Sequence, residues 1–448
     1  MTAPRIDRRT LLRAGAGLGL AMATGPLDVL GLFGGLARAD AAPMAPKRAP
    51  DNGGYGPLKP AGPVLELPDG FRYIRFGEEG SPMTGGGRTP PFHDGMAAFP
   101  GGPGIIRLVR NHEVSDVGNA FARPAYDPVA TGGTTTMVFD AREGRLLSTF
   151  PSLAGTFHNC AGGPTPWGSW LSCEEGTSGP KVGFKRYHGY VFEVPAKADG
   201  PVDPVPLRAM GRFVHEAVAV DPESGIVYET EDRPTAGFYR FVPNSPGSLH
   251  LGGRLQMLAI DGQPAYDTRT SQPVGVTLPV TWVDIEDPDP KDAGWNPLSV
   301  FNQGLGLGGA IFGRLEGCCW DQGRVLLTAT NGGDAACGQV WEYQPQQDGR
   351  GRLRLVFESP GPQFLRQPDN VVVSPRGGVL LCEDHDGADR LVGLDPEGRV
   401  FDFARNRLSP GEFAGLTYGP AIGYWLFVNI QNPGMTLAIT GPWERGCL

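Results

Sequence analysis

Short apolar runs separated by turns of Gly, Pro and Asp recur along the chain from about residue 100 onward. Glu216 opens one such segment. Ala217-Val218-Ala219-Val220 follows, then the turn Asp221-Pro222-Glu223-Ser224-Gly225, then Ile226-Val227-Tyr228, and the segment closes at Glu231-Asp232. Glu316 opens another, turning at Asp321-Gln322-Gly323-Arg324 and closing at Asn331. Asp369-Asn370 opens a third, turning at Ser374-Pro375-Arg376-Gly377-Gly378 and closing at Glu383-Asp384. Cys160 leads through Trp167–Leu171 to Cys173-Glu174-Glu175, and a weaker copy runs from Ala414 to Phe427-Val428-Asn429. Run, turn and run predict a β-hairpin each time. No stretch keeps a 3.5- or 3.6-residue period, which excludes helical bundles and coiled coils.

The spacing adds an architecture. From 160 to 175, 216 to 231, 316 to 331, 369 to 384 and 414 to 429 the step is fifteen. A strand, a turn and a returning strand bring the first and last of these residues to one open end of the hairpin. Cys160, Glu175, Glu216, Glu231, Glu316, Asn331, Asp369 and Asp384 are therefore expected at one rim. Segment starts lie 56, 100, 53 and 45 residues apart. Reading the step of 100 as two units gives repeats the length of a four-stranded propeller blade. The expectation is an all-β fold: a single β-propeller domain over residues 63–448, with about six blades and a metal site at one mouth of its central channel.

Composition fits that picture. Gly 68 and Pro 44 make up a quarter of the 448 residues, a level at which disorder is suspected. A hydrophobic content of 40% and aromatics of 9% argue for a large core instead, with Gly and Pro spent on many turns. The net charge of −9 speaks against a nucleic-acid partner. Seven cysteines leave at least one unpaired, and no CxxC pair suggests a zinc knuckle. Cys173, Cys318, Cys319 and Cys382 sit in apolar runs, where a small buried hydrophobe is the default.

The N-terminus carries an address. Asp7-Arg8-Arg9-Thr10-Leu11-Leu12-Arg13 is a twin-arginine box, followed by a mildly apolar run from Ala14 to Leu27 and small-x-small sites at Ala37-Arg38-Ala39 and Ala39-Asp40-Ala41. That run is too short and weak for a membrane span. Residues 1–41 are read as a twin-arginine signal peptide and 42–62 as a linker. This implies folded export by the twin-arginine machinery to the periplasm or beyond.

Asp, Asn and Gly flank hairpins everywhere because they suit turns, which accounts for Asp221, Asp321, Asp395 and Asp140. It does not account for Glu216 and Glu316, because Glu is depleted in strands and brings no turn chemistry. Carboxylates converging on one mouth would repel one another and protonate unless a multivalent cation joined them. Oxygen-rich donors select hard ions such as Ca²⁺ or Fe³⁺, and a thiolate among them argues that one ion is not calcium. His112, in Arg110-Asn111-His112-Glu113, suits a structural hydrogen bond and a site role equally. No His lies beside a Ser in a nucleophile motif.

Taken in order, these stretches resemble the PhoX alkaline phosphatase family of exported β-propellers. The matching residues are Arg110-Asn111-His112-Glu113, Asn159-Cys160-Ala161-Gly162-Gly163 with Thr165-Pro166-Trp167-Gly168, and Ser172-Cys173-Glu174-Glu175. They continue through Gly211–Glu216, Glu231-Asp232-Arg233, Arg314-Leu315-Glu316, Pro368-Asp369-Asn370 and Phe427–Gly434. The resemblance implies a phosphomonoesterase holding Fe³⁺ and Ca²⁺, which acts on a small phosphate ester through a metal-bound oxygen. It makes Cys160 an iron ligand beside Glu216, Glu316 and one of Glu174 or Glu175. Glu231, Asp232, Glu383, Asp384 and Glu113 would hold calcium, and Arg314 would grip the phosphate. The chain departs from the family pattern at Leu315, where Pro is usual, and at Asn432, where His is usual.

Two other classes fit the rim. A calcium-dependent propeller hydrolase of another ester or lactone would use the carboxylates but have little use for Cys160 and Arg314. A non-catalytic exported metal-binding propeller is the other; a propeller without catalysis would keep the fold and lose rim ligands, which this chain has not done. A monomer without a membrane span is expected in each case.

Overall fold

The run–turn–run segments form antiparallel hairpins in the computed structural model, which describes residues 46–385, 387–420 and 424–448. Asn159 pairs with Glu174, His215 with Glu231, Pro368 with Glu383 and Ala414 with Asn429. Three of these pairs are fifteen apart and His215–Glu231 sixteen, while on the hairpin that Glu316 opens Leu315 pairs with Ala329, fourteen residues on. The expected signal peptide, and residues 42–45 of the expected linker, lie outside the described residues.

The sheets radiate around a central channel as a β-propeller. Their innermost strands are His93–Gly102, Asn159–Pro164, His215–Val220, Leu315–Asp321, Pro368–Val373 and Phe413–Tyr418. Each packs against the next, and the last packs against the first. The ring is closed by chain ends of different origin. Arg72–Phe76 pairs with Met435–Thr440, so an N-terminal strand completes the C-terminal sheet. Between neighbouring repeats the apolar faces interlock, as where Tyr228 and Phe238 pack with Leu327, Trp341, Tyr343 and Leu355.

Two expectations are corrected. The 100-residue step from Glu216 to Glu316 holds one repeat, not two, because no inner strand lies between His215–Val220 and Leu315–Asp321. The extra length is an added strand, Thr277–Asp284, which pairs with Gly351–Glu358 and joins two units into one nine-stranded sheet, followed by the α-helix Ser299–Gly306. Residues 46–62 are not a free linker. Leu58–Pro60 pairs with Leu65–Pro68, and Ala49 and Tyr55 are buried against Phe71, Phe401 and Phe403. A Pro- and Gly-rich composition does not reveal that a few anchor side chains pin a segment.

All six inner strands share one irregularity. Their register breaks between His93 and Met96, Asn159 and Gly162, His215 and Val218, Leu315 and Cys318, Pro368 and Val371, and Ala414 and Thr417. A β-bulge bends its strand and re-aims a side chain. Here it recurs at one level of the channel, and small residues follow it where backbones approach closely. A Cβ on Gly95 would lie 2.6 Å from Ala161 Cα, and one on Gly317 would lie 2.5 Å from the Asp369 carbonyl. Below the bulges the channel holds a cavity of about 220 Å³ lined by Met96, Val218, Cys318, Val371 and Leu416.

Candidate metal centre

The bulges place Asp94, Cys160, Glu216, Glu316 and Asp369 at equivalent positions of five inner strands, and all five are fully buried. In the sixth strand the equivalent residue is Gly415. Cys160 Sγ lies 3.0 Å from Glu216 Oε1 and 3.7 Å from Asp94 Oδ1.

Four sets of side chains bring one donor atom each within 4.8 Å of the others: Asp94, Glu113 and Cys160; Glu113, His158 and Glu175; Cys160, Glu175 and Glu216; and Glu216, Asp232 and Glu316. Each set shares a residue with another, so the donors form one continuous buried track. Cys160, Glu175, Glu216, Glu316, Asp232 and Glu113, all expected at the site, are brought together. So many carboxylates would repel each other in a low-dielectric interior. The oxygen-rich set with one cysteine sulfur therefore fits hard multivalent cations plus one ion that accepts sulfur.

Hydrogen bonding distinguishes Glu174 from Glu175. Glu174 accepts the amides of Phe157, Gly189 and Tyr190 at 2.8, 2.7 and 3.1 Å, and its Oε1 meets His188 Nδ1 at 2.7 Å. His188 in turn reaches Asp127 at 3.5 Å. Glu174 is thus bound into the wall, and Glu175 is the residue that faces Cys160 and Glu216. Glu383 is likewise turned away, forked onto Arg390 at 2.6 and 2.8 Å and accepting the Arg366 amide. Burial alone would raise its pKa, but hydrogen bonds from His385 and Arg390 hold it below the usual carboxylate range. Glu231 accepts the Gly237 amide and the Tyr239 hydroxyl, both at 2.9 Å, and burial pushes its carboxyl up to about 7. Asp384 is buried at the same rim but belongs to none of the four sets.

Arg314 adopts a left-handed backbone with φ of 45°, a strained conformation of the kind that clusters at functional sites. Its guanidinium forks onto Asp232 at 2.9 and 3.0 Å and reaches Glu316 at 2.5 Å. His112 takes the structural role: its ring nitrogens meet the Pro91 carbonyl and the Thr135 hydroxyl, and burial, then the Arg110 charge, hold its pKa well below the ordinary value.

A bulge frees backbone groups from the ladder, and buried ones need partners. Asn111 donates to the carbonyls of Cys160 and Ala161 at 2.9 and 2.7 Å, while its own oxygen accepts from Trp170 and Ser172. Thr230 donates to the Glu316 carbonyl at 2.7 Å and accepts the Ala217 amide at 2.9 Å. Asn429 donates to the Asp94 carbonyl at 2.6 Å. These polar residues fix the bulges that aim the donors. Asn111→Ala should therefore destabilise the protein by about 3 kcal/mol, because four buried bonds are lost together. Thermal unfolding of the variant checks this.

Sequence reasoning missed three residues. Asp94 escaped because its hairpin is longer: His93 pairs with His112, so no step of fifteen exists there. His158, whose Nε2 lies 3.4 Å from Glu113, adjoins a quoted motif but was given no role. Gln431, inside another quoted motif, bonds Asp94 at 2.9 Å and Glu113 at 2.6 Å.

The family model described as alkaline phosphatase PhoX matches residues 145–434, which is more than half the chain. The chain belongs to the PhoX alkaline phosphatase family. Pseudomonas fluorescens PhoX, solved in complex with vanadate, a transition state analogue, is similar over 87% of this chain and 98% of its own, with 17% identity and a TM-score of 0.63. At that identity the likeness bears on the fold. More distant similarities include a gluconolactonase from Xanthomonas campestris, with 14% identity, 86% and 99% coverage and a TM-score of 0.40. A streptogramin B lyase has 9% identity, 83% and 98% coverage and a TM-score of 0.42. No curated protein matches the chain. As a PhoX family member the protein is a metal-dependent phosphatase acting on phosphate esters.

Proposed function

We propose that the protein is a phosphomonoesterase whose reaction takes place at the track from Asp94 to Glu316, with iron and calcium as its metals. The continuity of the four donor sets carries this reading, since shared carboxylates are what a multimetal centre needs. Cys160, Glu175, Glu216 and Glu316 would hold iron; Asp94, Glu113, Glu175 and Asp232 would serve calcium, with His158 as a nitrogen donor at the edge. Bound there, the metals supply Lewis acidity and neutralise charge on a transferring phosphoryl group.

The chain's own residues do the rest. Asp232 orients Arg314 as a rigid fork, the geometry that suits a phosphate. Burial of the carboxylates keeps bulk water from screening the centre, which strengthens every charge interaction within it. Cys160 sits inside two of the four sets, and this favours the iron-containing centre over a calcium-only hydrolase.

The reading is tested by hydrolysis of an aryl phosphate before and after chelation. Activity should vanish with the metals and return only when they are restored. Activity that survives exhaustive chelation would contradict it.

We also propose export by the twin-arginine route and a monomeric enzyme. Among the described residues no helix is long and apolar enough to cross a membrane. Replacing Arg8 and Arg9 with Lys should trap the precursor in the cell, which fractionation would show; normal export of that variant would remove the assignment.

A further inference from the structure

The connections at the metal end of the channel carry exposed apolar groups close together. Trp295 is 57% exposed, Val182 61%, Val117 51% and Tyr187 45%. Lys181 Nζ sits 3.8 Å from the centroid of the Trp295 ring, and a Cβ on Gly183 would lie 3.6 Å from Val117. The patch is built from three segments: the one after Glu113, the loop 176–189 after Glu175, and the stretch around Trp295.

Both carboxylates that precede these segments belong to one donor set with His158. Val117 is four residues from Glu113, so at most about 14 Å of extended chain separates them. The loop 176–189 rises directly from Glu175.

This patch is fixed in place. Thr177 donates to the Ala293 carbonyl at 2.7 Å, tying the loop to the Trp295 stretch. The buried Arg212 donates to the carbonyls of His188 and Thr177, both at 2.9 Å, and lies 4.4 Å from the Tyr187 ring centroid. Asp127 accepts the amides of Lys185 and Arg186 at 2.6 and 2.7 Å.

Its charge is opposite to that of the chain. Lys181 and Arg186 spend their cationic heads on aromatic faces, Trp295 and Tyr126, and neither they nor Lys185 form an ion pair among the described residues. In a protein of net charge −9, three cations without carboxylate partners on one rigid loop suit an anionic ligand. The exposed rings beside them suit a flat one.

We propose that Trp295, with Lys181 and the loop 176–189, forms a leaving-group subsite that takes aromatic phosphomonoesters, the nucleoside monophosphates and aryl phosphates. The inference rests on the phosphatase reading of the adjacent centre. The ring of the leaving group stacks on Trp295, and the loop cations attract the ester's negative charge.

The test compares metal-loaded wild type, Trp295→Ala and Trp295→Phe on adenosine monophosphate, p-nitrophenyl phosphate and glycerol phosphate. Trp295→Ala should raise KM for the two aromatic esters by about 10-fold or more, with kcat little changed. Glycerol phosphate should be unaffected, and Trp295→Phe should recover most of the loss. Equal effects on all three esters, or none, would overturn the subsite.

A second arm uses adenosine, which has no phosphate, and saturation-transfer NMR. Transfer to the base protons should be present in wild type and lost in Trp295→Ala. If no ester is hydrolysed yet that transfer is seen, the phosphatase reading fails and the aromatic site stands. If esters are hydrolysed and no transfer is seen, the subsite fails alone.

Discussion

Glu216→Gln should lower phosphatase activity on the order of 10³-fold and deplete bound metal, while the circular dichroism spectrum stays that of the wild type. Glu216 is the residue common to the Cys160 and Glu316 ends of the donor track, so its loss interrupts the track in the middle. Its carboxylate lies 3.0 Å from the Cys160 sulfur and is fully buried. Gln is nearly isosteric but neutral, and it is a poor bridging donor. The fold should persist because the bulge around Glu216 is held by Thr230, through the Ala217 amide, and not by the carboxylate itself. Elemental analysis of the variant with a steady-state assay checks both halves. Unchanged iron and calcium would remove Glu216 from the centre.

Cys160→Ser should abolish a visible charge-transfer band and cost at least about 10²-fold in activity. A thiolate binds ferric iron and has little use for calcium, so this residue separates an iron-containing centre from a calcium-only one. Two features position the sulfur. The bulge aims it into the channel, and Asn111 clamps the carbonyls of Cys160 and Ala161. The control is Cys173→Ser on the same hairpin. Cys173 is buried in an apolar cluster with Leu171, Val191 and Val218, outside the donor sets. That variant should keep its colour. Absorption spectra of the three proteins, recorded as purified, decide the matter: a fully active and unchanged Cys160→Ser would leave the thiol without a metal role.

Much of the site was legible because hairpin geometry is periodic. Once a strand, a turn and a returning strand recur with a step near fifteen, Cys160 and Glu216 return to the ends of hairpins whose pairs are Asn159–Glu174 and His215–Glu231, whereas on the Glu316 hairpin Leu315 pairs with Ala329 and Asn331 lies beyond the strand. The Glu residues stood out because neither strand propensity nor turn chemistry explains them. What the pattern missed is what departs from the period. Asp94 lies on a hairpin whose strands, His93–Gly102 and Ile105–His112, are longer than those of the other inner hairpins, so a fixed step passes over it. The added strand Thr277–Asp284 and helix Ser299–Gly306 imitate a whole repeat in length without supplying an inner strand.

Choices between neighbours were also hidden. Glu174 and Glu175 are chemically identical in sequence, and the difference between them comes from three backbone amides and His188 gathering around the first. Glu383 looked like another rim ligand until Arg390, seven residues on, folded back to pair with it. The role of Asn111 illustrates the converse. Its motif was visible, but only the bulge explains why a buried amide is needed there: it satisfies carbonyls that the ladder has released.

The central claim is that the buried track from Asp94 to Glu316 is a metal centre containing iron as well as calcium. Elemental analysis of the purified full-length protein, without added metal, tests it most directly. The expected result is both iron and calcium in near-integral amounts per chain, retained through dialysis. A protein that carries neither, or calcium alone, while hydrolysing phosphate esters at full rate would contradict the account.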